Sequence, residues 1–183
     1  MVQGRGVNAP LNETGRQQAA RAVQYFSDKD IHRVFCSVLV RTHQTIEGLG
    51  LPITALDGFD EISWGAHEGI VADDPMRTLY WDTIHAWRDG HVHLSIGGGE
   101  SPVQVLERQK VAMQHVMNAP EENIVICMHG RAIRILLTWL LRYPLKYMDG
   151  FEHHNCSIYE LRYTGNSFRL EKYNHIGHLQ AGV

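Results

Sequence analysis

The sequence predicts an α/β protein: a three-layer α/β/α sandwich around a mixed, mostly parallel sheet, finished by a C-terminal β-hairpin. Three observations predict it. Short apolar runs alternate with longer amphipathic stretches along most of the chain, the pattern of strands joined by helices. One run, Ile124-Val125-Ile126-Cys127-Met128, is apolar throughout, as a parallel strand covered on both faces would be. Finally, the β-rich segments Cys156 to Tyr163 and Phe168 to Tyr173 flank Thr164-Gly165-Asn166, which reads as a hairpin turn. With 183 residues, a single domain over 1–183 can bury a sizeable core.

The elements follow in order. Asn12 can cap a helix from Glu13 to Phe26, whose Ala19, Ala22, Val23 and Phe26 make one apolar stripe. Val34-Phe35-Cys36 reads as a buried strand. The spacing then predicts a helix from Arg41 to Leu49, ended by Gly48 or Gly50 with Pro52 just beyond. Residues 53–60 read as a second strand and loop. An aromatic-rich helix runs from Asp73 to Trp87, and a loop leads to Gly97-Gly98-Gly99. Ser101-Pro102 opens the next helix, where the missing proline N–H would be unpaired in any case. Its Leu106, Met113, Val116 and Met117 are expected to share one face. After the apolar strand, a helix from Arg131 to Arg142 stops before Pro144.

Composition narrows the function classes. A formal net charge of −3 and a pI near 6.4 give no footing for nucleic acid or an anionic membrane as partner. The apolar run Ile133 to Leu141 is too short to cross a bilayer. The N-terminal stretch is polar and glycine-rich, unlike a signal peptide. Cys36, Cys127 and Cys156 are odd in number and lack CxxC spacing, which points to a reducing compartment and hence the cytoplasm. The twelve histidines include the pairs His91/His93, His153/His154 and His175/His178, none with metalloprotease spacing, so no metal is expected. Neither is a cofactor.

Ligands of open α/β sheets bind beyond the carboxyl ends of the strands. Arg41 and His129 each lie just past a strand and at the start of a helix, which makes them candidates for one common site. Gly130 permits a tight turn after His129, and the free N–H groups of the following helix favour an anion. A guanidinium such as that of Arg41 can grip two phosphate oxygens in a planar fork. Without further context, His129 could merely close a strand and Arg41 could be a solvated side chain.

Four stretches supply that context: Gln3-Gly4 ahead of Pro10 to Ala19; Ser37-x-Leu39-x-Arg41-x-x-x-Thr45; Phe59-Asp60-Glu61-Ile62-Ser63-Trp64-Gly65; and Met128-His129-Gly130. In this order they resemble the histidine phosphatase superfamily, the branched group that includes the cofactor-dependent phosphoglycerate mutases. The resemblance implies a phosphoglycerate mutase-like fold, and a phosphorylated small molecule as substrate. It implies that Arg41 binds phosphate, that His129 steadies the phosphoryl group, and that Glu61 gives a proton to the leaving oxygen. It also implies that Gln3 and Gly4 belong to the loop over the phosphate, and that no metal takes part. Asp57, Asp60 and Glu68 rival Glu61 in the same acidic stretch and read as solvated. Asn8 is assigned no role, and Gly99-Glu100-Ser101 reads as a helix start.

Members of the superfamily begin with a strand ending in Arg-His-Gly, whose histidine takes the phosphoryl group. That tripeptide does not occur in this sequence. The expectation is that Met1 is internal to a longer protein, that the strand lies upstream, and that the chain as written is inactive. An unpaired sheet edge would also make a second copy of the chain a candidate partner. Two other functions are weighed: a phosphoglycerate mutase, disfavoured because residues 70–98 are shorter than the insertion those mutases carry, and a phospho-ligand binding module without turnover.

Overall fold

Three parallel strands form the centre of the computed structural model, which describes residues 2–71 and 73–180; Met1 lies outside them. Strand β1 (Arg33–Cys36) is flanked by β2 (Ile53–Ala55) and β3 (Ile124–Cys127), with Val34 opposite Ile53 and Val125, and Cys36 opposite Cys127. Alternation along the strands sorts their side chains to two faces. Phe35, Ile124 and Ile126 pack toward α4 (Pro102–Met117) and α5 (Gly130–Leu140). Val34, Cys36, Val125 and Cys127 pack with Ile46 of α2 (Val40–Ile46). Helix α1 (Glu13–Phe26) lies against α2, and its first turn is capped by Asn12, whose side chain accepts from the N–H of Gly15 at 2.8 Å. These are the three expected layers.

The hairpin is present as β4 (Ile158–Tyr163) and β5 (Phe168–His175), paired antiparallel as a separate two-stranded sheet. Leu161 and Phe168 join the apolar cluster beneath α4 and α5, while His175 packs against Tyr25 of α1. A short α6 (Gly177–Gln180), not foreseen from the sequence, also lies on α1. The parallel and antiparallel parts of the predicted mixed sheet are thus two sheets among the described residues, with no ladder joining β3 to the hairpin.

The expectation of a parallel strand covered on both faces holds for β3, and the one for α4 is corrected. Strand β3 is only half-buried, although β1, with a similar composition, is buried. Both faces of β3 are covered; β1 supplies its single ladder partner among the described residues. The buried side of α4 is Val105, Gln109, Ala112, Met113 and Val116 rather than the Leu106–Met117 face, and Met117 is 42% exposed. A polar residue in the middle hid that stripe: Gln109 is fully buried and its Nε2 donates to the carbonyl of Ala132 at 2.7 Å. Boundaries shift slightly elsewhere, with α2 tightening into a 3₁₀ turn at Glu47–Leu49 before Gly50 (φ 66°), and α3 spanning Asp74–Arg88 behind an Asp73 cap.

Candidate active site

Arg41 and His129 meet where β1 and β3 end. Helix α2 starts four residues after β1, and its first-turn N–H at Val40 is accepted by Asn8 Oδ1 at 2.7 Å, which gives a role to a residue the sequence left without one. Arg41 Nε donates to His129 Nδ1 at 3.3 Å, while its Nη1 and Nη2 donate to the carbonyls of Val7 (2.6 Å) and Gly4 (3.3 Å). A guanidinium carries five N–H groups, so these three bonds leave two for a ligand. With Nδ1 accepting, the proton of neutral His129 sits on Nε2 and is donated to Ser37 Oγ at 2.7 Å. Ser37 is itself fixed, accepting from the N–H of Leu39 and paired with Thr42. Burial, then the charges of Arg41, Arg108 and His153, push the His129 pKa down to about 3. The imidazole is therefore neutral, with positive charge beside it.

Glu61 reaches the same place from another segment. Its Oε1 accepts from the N–H groups of Ile62 and Ala132, both at 2.9 Å, and its Oε2 accepts from that of Arg131 at 3.0 Å. Arg131 and Ala132 open α5, so the carboxylate satisfies donors that have no partner within the helix and sits at the favourable end of the helix dipole. Because Oε1 takes two bonds and Oε2 one, Oε2 is the oxygen with capacity left for a proton. Burial lowers the pKa of Arg41, opposed by the charges of Glu61, Asp60 and Glu68.

The other candidates are placed as follows. Gly4 is buried where a Cβ would lie 2.7 Å from the carbonyl oxygen of Ile62, so the chain passes too close for any side chain. Gln3 is exposed. Gly130 touches His153: a Cβ would come within 2.9 Å of that ring. Burial, then Arg134 and His154, lower the His153 pKa to about 4.

Reading the acidic rivals of Glu61 as solvated holds for Asp57 and fails for the other two. Asp60 is 2% exposed, accepts from the N–H of Val38 at 3.0 Å and pairs with Arg5 at 3.1 Å, fastening the loop after β1 to the segment that carries Glu61. Burial pushes its pKa up, against these bonds. Glu68 accepts from the N–H groups of Gly6 and Trp64 and so anchors the Gln3–Gly6 turn. Neither role has a local sequence signal, because each partner lies far along the chain or on another turn.

Among the aromatic residues between 64 and 87, Trp64 and Trp87 are buried and stack at 6.1 Å, the Tyr80 hydroxyl accepts from Arg131 Nη2 at 3.1 Å, and Trp81 is 53% exposed. A groove of about 680 Å³ lies elsewhere, between the turn after α5 and the hairpin, lined by Leu141, Tyr143, Phe151, Phe168 and Tyr173 among others. None of Arg41, Glu61 or His129 lines it. Among the described residues no three His, Cys, Asp or Glu side chains gather as a metal site, and no helix is long and apolar enough to cross a membrane.

The family profile described as "Histidine phosphatase superfamily (branch 1)" matches residues 1–176. A Bacillus subtilis protein named "Uncharacterized phosphatase PhoE" is 26% identical over 179 residues, covering 95% of this chain and 86% of its own length. A "Probable phosphoglycerate mutase GpmB" from Erwinia tasmaniensis is 29% identical over 170 residues, covering 86% of this chain and 74% of its own length. The mouse "Fructose-2,6-bisphosphatase TIGAR" is 51% identical, but only over 49 residues, 27% of this chain and 18% of that protein. Among solved structures, a mycobacterial glucosyl-3-phosphoglycerate phosphatase with inorganic phosphate superposes with a TM-score of 0.83 at 23% identity, over 97% of this chain and 92% of that one. Bacillus stearothermophilus YhfR gives 0.85 at 23% identity, over 97% and 90%. At these identities the structural likeness speaks for the fold.

Proposed function

Because the chain belongs to the histidine phosphatase superfamily (branch 1), we propose that it forms the body of a phosphomonoester hydrolase that works through a phosphohistidine, with the nucleophile brought by a strand outside the sequence printed here. The observation that carries this reading is the meeting of Arg41, His129 and Glu61 at the ends of β1 and β3 and the start of α5. An anion there would meet the two free N–H groups of Arg41, and His129 joins them when the anion displaces Arg41 Nε from Nδ1 and that nitrogen takes a proton. A dianion beside His129 would also oppose the burial and the neighbouring positive charge that together keep the ring neutral.

The reaction then runs in two displacements. The incoming histidine nitrogen bonds to phosphorus while the ester P–O bond breaks, and the leaving oxygen takes a proton from Glu61 Oε2. Water next attacks the phosphohistidine, Glu61 receives the water proton, and the P–N bond breaks to release phosphate and restore the histidine. Arg41 and His129 hold the charge of the equatorial oxygens through both steps.

The free edge of β3 supports docking of the strand with the nucleophile at that position, since its faces are already covered and only its ladder lacks a partner among the described residues. The substrate class is a phosphorylated small molecule, the class named for several relatives. The three free cysteines support a reducing, cytoplasmic setting.

The test compares the chain as printed with the same chain preceded by its encoded upstream sequence, provided that sequence carries Arg-His-Gly. p-Nitrophenyl phosphate and 3-phosphoglycerate are the substrates. The extended protein is expected to be faster by a factor on the order of 10³ or more and to release phosphate from 3-phosphoglycerate rather than isomerise it. Equal rates would overturn the strand assignment, and isomerisation would make the protein a mutase.

A further inference from the structure

We infer that Arg108, acting with Glu100, is the positioning residue for the Glu61 carboxyl group. This rests on the reading of Glu61 as the proton carrier, but the clamp itself can be tested without turnover. Residues Asp60 to Trp64 belong to no helix or strand; they run between the 3₁₀ turns Asp57–Phe59 and Gly65–His67. Their backbone groups must find partners elsewhere, and a carboxyl group on such a segment would otherwise be loosely placed. Proton transfer tolerates little looseness, because small displacements of a catalytic group cost large factors in rate.

The N–H groups of Arg5 and Glu100 serve the carbonyls of Ile62 and Ser63, and one guanidinium serves the two carbonyls before them. Arg108 Nη1 donates to the carbonyls of Gly58 and Asp60, both at 2.9 Å, and of Asp57 at 3.3 Å, while Nη2 donates to the carbonyl of Glu61 at 3.0 Å. On its other side Arg108 pairs with Glu100 through Nε (2.9 Å) and Nη2 (3.0 Å), and Glu100 Oε2 accepts from the N–H of Ser63 at 2.9 Å. The peptide groups on both sides of Ile62 are thereby fixed by a single ion pair. Its side chains are only 14% and 17% exposed. Burial works against a charged Glu100, yet the bond and charge of Arg108 hold its carboxyl below the usual range.

Two further features fit. Four carbonyl oxygens turned toward one point repel each other unless a cation lies among them. A lysine would supply the charge but not the fork that reaches Gly58, Asp60, Glu61 and Glu100 together. Gly58 is pressed so closely on α4 that a Cβ would lie 2.6 Å from the Arg108 carbonyl oxygen and 2.6 Å from Ala112 Cβ. The segment is thus seated on the helix that carries its clamp.

The decisive measurement is backbone amide exchange on the chain as printed, in Arg108→Lys and Gly58→Ala. The amides of Ser63, Arg131 and Ala132 report the clamp, since they donate to Glu100 or to Glu61. Those of Phe35 and Leu137 report the body of the fold. Both variants are expected to speed exchange at the first three by roughly tenfold or more while leaving the other two unchanged. Unchanged exchange at Arg131 and Ala132, or equal acceleration everywhere, would overturn the inference. In the extended enzyme, Arg108→Lys should slow hydrolysis of an alkyl phosphate at least about tenfold more than that of p-nitrophenyl phosphate, whose leaving group needs no proton. If Glu61→Gln shows no such dependence on the leaving group, the acid role proposed above fails, and the exchange data still decide whether the clamp exists.

Discussion

Strands β1 and β3 make an instructive pair. Each is four residues long, they lie in register, each ends in a cysteine, and each runs into a loop that delivers one of the two residues at the centre of the site. From sequence alone β3 is the more apolar, yet Val34, Phe35 and Cys36 are 0–4% exposed, whereas all four residues of β3 are only half-buried. The faces do not account for this, since α2 lies on one side of both strands and α4 and α5 on the other. What differs lies in the plane of the sheet. β1 has a strand on each edge, and β3 has one partner among the described residues. Burial in a parallel sheet needs lateral neighbours as much as covering helices.

The loops differ in chemistry as well. The β1 end contributes a permanent charge, Arg41; the β3 end contributes His129, which its surroundings keep neutral. The largest expected effect follows from that contrast. At pH 8, Arg41→Ala should weaken binding of orthovanadate to the chain by about a hundredfold, the worth of losing charge-assisted bonds to an anion. His129→Gln, which removes no permanent charge, should cost about tenfold. Isothermal titration of both variants measures the two losses, and a larger loss for His129→Gln would reverse the ranking of the two strand ends.

The second effect is on stability against acid. Folded His129 takes a proton only near pH 3, whereas in the unfolded chain it does so near 6.5. Between those values unfolding takes up a proton, so stability is complete above about pH 6.5 and falls as the pH drops toward 3. At pH 5 the loss is about 2 kcal/mol from this group, and His153, lowered to about 4, adds to it with the same sign. Urea midpoints at pH 7 and pH 5 should therefore lie closer together in His129→Gln than in the parent chain. Identical spacing would mean that the ring is not held neutral by its surroundings.

Much of this was legible in the sequence, for identifiable reasons. Helix starts are local, so Asn12, Asp73 and Ser101-Pro102 marked them within a few residues, and the structure shows Asp73 and Ser101 to be caps as Asn12 is. The motif order pointed to Arg41, Glu61 and His129, which the fold brings together. What could not be read were the ties between distant segments. Glu100 looked like the residue before a helix start, and nothing in its spacing told of Arg108 and Ser63. Asp60 and Glu68 looked like a solvated acidic stretch because their partners, Arg5, Val38 and Gly6, lie 22 or more residues away. The buried stripe of α4 was mistaken because Gln109 is polar and its partner, the Ala132 carbonyl, belongs to another helix. Pattern reading finds apolar faces and motifs. It is blind to a polar group satisfied across the fold.

The smallest effect tests the comparison most directly. Val34 and Val125 are the same residue, opposite each other in register and on the same face against α2, yet Val34 is fully buried and Val125 is not. Trimming Val34 to alanine removes fully buried carbon and should cost about 2 kcal/mol, while Val125→Ala should cost about 1. Chemical denaturation of the two variants measures the difference. If a strand pairs with the outer edge of β3, repeating both substitutions in the extended protein should raise the cost of Val125→Ala toward that of Val34→Ala and leave the latter where it was. A difference that persists in the extended protein would mean that the half-burial of β3 belongs to the fold itself, and that its edge is not where the nucleophile's strand docks.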